Sequence, residues 1–139
     1  VSIPIANGER MHSIWEFREL LSNGGPQYVR PDVGLAGGIT QTKKIASIAE
    51  SYHSALITHN FLGPILTAAS VHIDVSIPNF ITQEYSLDDE SKKNDYLISS
   101  LKREGGYIIT PEKPGLGIEI DKEKDIESIA PTIPSNFGI

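Results

Sequence analysis

The stretch Ala55-Leu56-Ile57-Thr58-His59-Asn60-Phe61-Leu62-Gly63-Pro64 decides the fold, because it runs from a short apolar segment through a histidine into a Gly-Pro pair suited to opening a helix. Proline fits a first helical turn, where its missing N–H costs nothing, and Leu66, Ala69 and Ile73 then repeat at i, i+3 and i+7 until Pro78. That is one strand-helix unit ending in a polar residue able to do chemistry. Working outward, Gln27-Tyr28-Val29 leads to Asp32, the Gly37-Gly38 turn and a helix from about Thr40 to Ser51 whose face carries Ile45, Ile48, Ala49 and Tyr52. Ile3-Pro4-Ile5-Ala6 leads to Glu9 and a helix with Ile14, Phe17 and Leu21, capped by Ser13 and stopped by Gly24-Gly25-Pro26. Phe80-Ile81 leads to Glu84.

Glu9, Asp32, His59 and Glu84 are thus spaced by 23, 27 and 25 residues, each interval holding one strand and one helix. Alternating strand and helix builds a parallel sheet, and in a β/α barrel the working residues stand at the carboxyl ends of the strands. The fold class expected is α/β, a carboxyl-terminal part of a TIM-type β/α barrel, which the resemblance described below implies is its carboxyl-terminal half, about strands five to eight. A closed barrel needs at least roughly 200 residues. A chain of 139 residues that begins at Val1 is therefore expected to be a carboxyl-terminal portion of a longer protein, with a processed small domain as the alternative.

Past Glu84 the pattern changes. Residues 88–93 are highly charged, and Tyr96, Leu97 and Leu101 form a weaker helical stripe. Tyr107-Ile108-Ile109, the turn-rich 111–117 and the apolar Ile118 to Ile120 read as an extended return segment. Residues 1–104 are accordingly expected to form the partial barrel and 105–139 the return segment, irregular around Pro131, Pro134 and Gly138. No linker divides the chain.

With 39% hydrophobic residues and no low-complexity tract the chain can bury a core. A net charge of −6, with lysines only in isolated pairs such as Lys43-Lys44, argues against nucleic acid as a partner. Zero cysteines excludes disulfides and thiolate metal sites. No stretch approaches the ~20 apolar residues of a membrane span, and a cytoplasmic location is the expectation.

Asp32 and His59 end neighbouring strands, so the carboxylate should come within reach of the imidazole, fix its tautomer and stabilise the imidazolium, as in a general acid or base. Asp32 after Pro31 could equally be a turn residue. Glu9 offers a hard oxygen to Mg²⁺, or is a solvated carboxylate or a partner of Arg10. Glu84 could hydrogen-bond to a substrate oxygen if a dry site keeps it protonated, or cap the charged segment that follows. His12, His53 and His72 are assigned no chemistry, and the glycine pairs lack phosphate-loop spacing.

The segments Ile5-Ala6-Asn7-Gly8-Glu9-Arg10, Arg30-Pro31-Asp32, Ala36-Gly37-Gly38-Ile39-Thr40, Thr58-His59-Asn60-Phe61-Leu62-Gly63-Pro64, Pro78-Asn79-Phe80 with Gln83-Glu84, and Pro114-Gly115-Leu116-Gly117 occur in one order. In that order the chain resembles the carboxyl-terminal part of the enolase superfamily, in particular the acid-sugar dehydratases of the mandelate racemase subgroup. The resemblance implies that Glu9 is the third of three carboxylates holding Mg²⁺, that Asp32 and His59 are the proton-transfer dyad, and that Glu84 is the acid opposite the metal. It implies removal of the proton beside a substrate carboxylate and, in a dehydratase, loss of the 3-hydroxyl. Arg30 and Gln41 depart from it, standing where glutamine and glutamate are more usual. A sugar acid is the implied substrate, Mg²⁺ the cofactor and a homo-oligomer the assembly. A racemase or epimerase, an inactive fragment that needs a complementing chain, and a small α/β binding module are the competing expectations.

Overall fold

The computed structural model describes residues 2–90 and 94–124. Strands β1 (Ala6–Asn7), β2 (Tyr28–Val29), β3 (Ala55–Thr58) and β4 (Phe80–Gln83) form one sheet in the order β1-β2-β3-β4, every pair parallel. Helices α1 (Ile14–Ser22), α2 (Ile39–Ser51) and α3 (Pro64–Asp74) make the three crossovers. This is the architecture that the alternation of apolar runs and helical stripes demands, since a parallel neighbour can be reached only by a long connection.

Local sequence explains each helix. Ser13 starts α1: its hydroxyl accepts the Glu16 N–H, and the Glu16 carboxylate takes the His12 N–H at 3.0 Å and the Ser13 hydroxyl at 2.8 Å, a capping-box arrangement. α3 begins with Pro64 after Gly63, and both Gly37 and Gly38 take positive φ on the way into α2. The core lies between helices and sheet, where Phe17, Leu21, Val29, Ile45, Ala49 and Leu56 are buried together. Gly8, at φ +121°, lets Phe17 close against the turn after β1, because a Cβ there would sit 2.6 Å from the ring.

A polar contact stands behind the sheet as well. Asp74 at the end of α3 is 5% exposed, and the Thr58 hydroxyl donates to both its oxygens at 3.1 Å. Burial pushes this carboxyl up to about 7, against which the Thr58 hydrogen bond pulls only partly.

Beyond β4 the helical expectation for Tyr96, Leu97 and Leu101 is corrected. Leu97–Ser99 is a strand, β5, paired antiparallel with β8 (Glu119–Ile120), and a short 3-10 turn at Leu87–Glu90 precedes it. Three apolar residues in so short a run fit either period, and the cross-strand partner decides. The remaining strands, β6 (Lys102–Glu104) and β7 (Tyr107–Ile109), form a hairpin whose turn contains Gly105 and Gly106. β7 and β8, from the expected return segment, pair with β6 and β5, which lie before residue 105, and residue 105 itself falls in the hairpin turn. Pro131, Pro134 and Gly138 lie outside the described residues. Among the described residues no helix is long and apolar enough to cross a membrane.

Candidate active site

Three of the four expected residues come together at the carboxyl ends of β2, β3 and β4. The hydrogen-bond ladder continues past the strands: the His59 N–H donates to the Pro31 carbonyl at 3.1 Å and the Glu84 N–H to the Thr58 carbonyl at 3.1 Å, with Asp32 and His59 facing one another as a parallel bridge. Backbone register thus carries the side chains to one place.

Asp32 is fully buried and His59 is 7% exposed. The Nδ1 of His59 lies 3.0 Å from Asp32 Oδ2, and the Leu35 N–H donates to the other oxygen, Oδ1, at 3.0 Å. One Asp32 oxygen therefore closes a turn while the other meets the imidazole. A carboxylate can only accept, so the proton of this contact is assigned to Nδ1, which leaves Nε2 as the nitrogen able to take a proton from a ligand. The Phe61 ring stands edge-on to the imidazole with centroids 5.1 Å apart.

Glu84 Oε2 lies 3.7 Å from His59 Nε2, accepts from Arg30 Nη2 at 2.7 Å and accepts the Asn60 N–H at 3.0 Å. Burial raises this carboxyl, but the Asn60 N–H and the Arg30 guanidinium outweigh it, with His59 adding to them, and hold Glu84 below the usual glutamate range. The dry surroundings that a protonated Glu84 would need are not found here: its side chain is 39% exposed and a guanidinium stands beside it.

Glu9 occupies the corresponding place after β1 and is half-buried. Among the described residues its carboxylate has no hydrogen-bond or ion-pair partner, Arg10 included. Nor does any group of three or more His, Asp or Glu side chains there form a metal-holding cluster. One hard oxygen donor does not fit the coordination that Mg²⁺ requires, so these residues do not amount to a metal site by themselves.

Arg30 and Asn60 are the site residues whose part the sequence did not reveal. Their signal was position: each lies within two residues of Asp32 or His59, at a strand end. Asn60 is fully buried, its amide donating to Thr67 Oγ1 at 2.6 Å and to the Glu84 carbonyl at 3.3 Å.

The parallel strand-end geometry has its counterpart in known proteins. A family model described as Enolase C-terminal domain-like matches residues 1–124, and the chain belongs to that family. It shares 44% identity over 128 residues with the D-galactonate dehydratase of Cronobacter sakazakii, covering 88% of this chain and 34% of that protein. With the D-galactonate dehydratase of Ralstonia pickettii it shares 43% over 131 residues, covering 90% and 34%. The crystal structure of mandelate racemase/muconate lactonizing enzyme from Jannaschia sp. CCS1 superposes with a TM-score of 0.80 at 35% identity, covering 93% of this chain and 31% of that one. The fold class is therefore that of a TIM-type barrel portion, and the chain spans about a third of the length of these relatives.

Proposed function

We propose that this chain supplies the proton-transfer side of a Mg²⁺-dependent acid-sugar dehydratase, which converts a sugar acid such as gluconate or galactonate to its 2-keto-3-deoxy product. The observation that carries the reading is the buried Asp32–His59 pair at 3.0 Å, with Nε2 left for the substrate. The dehydratase relatives at 44% and 43% identity support the reaction class.

In this scheme His59 Nε2 takes the proton from the carbon beside the substrate carboxylate, and the electron pair of the broken C–H bond stays on the substrate as an enediolate. Asp32 keeps the ring in the orientation that presents Nε2 and stabilises the imidazolium as it forms. The 3-hydroxyl then leaves with a proton from a group outside this chain. Glu9 is the single ligand that the chain would contribute to Mg²⁺, alongside carboxylates it does not itself contain. Turnover by the chain alone is not expected, and a homo-oligomer belongs to the same proposal.

The test is complementation: the chain is mixed with the amino-terminal part of the Cronobacter sakazakii relative, and galactonate or gluconate is supplied with Mg²⁺. Formation of a 2-keto acid by the mixture, absent from either part alone and lost in His59→Asn, is the expected result. Isomerised sugar acid without a 2-keto product would replace dehydration by racemisation, and turnover by the chain alone would overturn the division of the site.

A further inference from the structure

The peptide unit that joins Thr58 to His59 is held on both edges. The His59 N–H donates to the Pro31 carbonyl and the Glu84 N–H to the Thr58 carbonyl, each at 3.1 Å, so this one unit ties together the ends of β2, β3 and β4. Ladder register alone does not place it, because the pairing of β3 with β4 shifts just before: Leu56 faces Phe80 but Ile57 faces Thr82, which leaves Ile81 as an extra residue on β4. Such an irregularity bends a strand and re-aims the side chains beyond it. A third hold comes from the helix layer. Thr58 is fully buried, and its Oγ1 lies 3.1 Å from both oxygens of Asp74, the last residue of α3. Side chains alternate along a strand, so a Thr58 turned to α3 turns His59 to the opposite face, toward Asp32. The Thr58 hydroxyl has one hydrogen to give, and the second contact acquires one only when the carboxyl itself carries a proton. Burial favours that neutral form.

We propose that Asp74 is a positioning residue for the Asp32–His59 pair: from behind the sheet it clamps Thr58 through two reciprocal hydrogen bonds and so fixes the strand end that presents His59 and receives Glu84. Its side chain stays in the helix layer, and its effect passes through one peptide unit. As a neutral acid Asp74 gives a hydrogen to Thr58 Oγ1 and takes one from it. As a carboxylate it can only accept, so one of the two bonds is lost and a charge is left in buried surroundings. Among the described residues, the titratable or charged groups that line the same cavity are Tyr85, just after β4, with Arg103 and Tyr107 from the hairpin. Arg103 is engaged elsewhere, by Glu90 at 2.6 Å and by the Gly105 carbonyl at 2.7 Å. Burial and the Thr58 hydroxyl are what set the titration of Asp74. The clamp goes beyond the sugar-acid reading, since it concerns how the pair is delivered and not which acid meets it.

The experiment compares the 139-residue chain with Asp74→Asn, which keeps one donor and one acceptor toward Thr58 at every pH, and with Thr58→Val and Thr58→Ser. Carbon-13 spectra read the Asp74 carboxyl directly, with a midpoint expected at about 7, and nitrogen-15 spectra read the amides of His59 and Glu84. The difference in these two amide shifts between the unmodified chain and Asp74→Asn should follow the Asp74 carboxyl along the pH axis, with the same midpoint. In the enzyme reconstituted with the amino-terminal part of the Cronobacter sakazakii relative, Thr58→Val should lower kcat by about tenfold or more with little change in KM, within the ~100-fold that a misplacement of about 1 Å costs. Thr58→Ser should recover most of that loss, and Asp74→Asn should change the pH profile of kcat around neutrality. Amides of His59 and Glu84 that ignore the Asp74 titration overturn the proposal even if Thr58→Val does not fold. So does an Asp74 carboxyl that titrates in the ordinary range, or a Thr58→Val enzyme with unchanged kcat. A mixture that dehydrates no sugar acid removes the proposed function alone, and the amide titrations still decide the clamp.

Discussion

Replacing Asp74 by asparagine should make folding stability less sensitive to pH, and the structure sets the size of the effect. The Asp74 carboxyl is buried, its partner among the described residues is the Thr58 hydroxyl, and it titrates near 7 where an ordinary aspartate titrates near 3.8. Because the folded chain holds this proton more tightly than the unfolded one, the group's contribution is fully present below about pH 3.8 and is lost as pH rises to about 7. At about 1.4 kcal/mol per pH unit the loss across that window is about 4 kcal/mol, an upper figure if the neighbouring structure relaxes. An asparagine side chain at this position cannot ionise but can still accept the Thr58 hydroxyl. The stability of Asp74→Asn minus that of the unmodified chain should therefore climb by roughly 2–4 kcal/mol from mildly acidic to neutral pH, then level off. Urea unfolding followed by helical circular dichroism, run in parallel on both proteins, reads this difference, and other titrating groups such as Glu84 cancel in it. A difference that stays constant with pH, or falls as pH rises, would refute the reasoning.

Two further outcomes concern the fold. Ser13→Ala removes the hydroxyl that caps α1 and should cost about 1 kcal/mol, seen as a lower urea midpoint at unchanged slope. Gly8→Ala places a methyl 2.6 Å from the Phe17 ring at a φ of +121°, so it should cost about 1–3 kcal/mol through strain and a displaced core ring. Phe17→Leu in the same background should recover part of that loss, and no recovery would mean that backbone conformation rather than the ring is limiting.

The main architecture was legible because its elements are punctuated locally. Ser13, the glycines at 37, 38 and 63, and Pro64 mark helix starts that coincide with α1, α2 and α3 to within a residue, while the apolar runs fall on or beside the four parallel strands. What could not be read was anything set by partners distant in the chain. Leu97–Ser99 becomes a strand because Glu119–Ile120 pairs with it, a contact that no period in so short a run encodes. Likewise Glu84 is held below the usual glutamate range, against its partial burial, by the Asn60 N–H and by Arg30, which reaches it from 54 residues earlier. Its own neighbours in sequence suggest no such cation. The facing of Asp32 and His59 was foreseeable from their equivalent places in adjacent units.

The backbone ladder that runs past the strands to join Asp32 with His59 separates two kinds of change available to this chain over evolutionary time. Spacing between adjacent strands, near 4.8 Å in any sheet, is held by main-chain hydrogen bonds and not by the identity of surrounding side chains. The connections beyond Leu35, whose N–H holds the Asp32 carboxylate, and beyond Phe61, which packs on the imidazole, can then be rewritten in length or in chemistry without moving the backbones that carry the pair. The chemistry of those outer connections can drift while the Asp32–His59 contact is inherited intact, whereas a one-residue register slip between β2 and β3 would send the two groups to opposite faces.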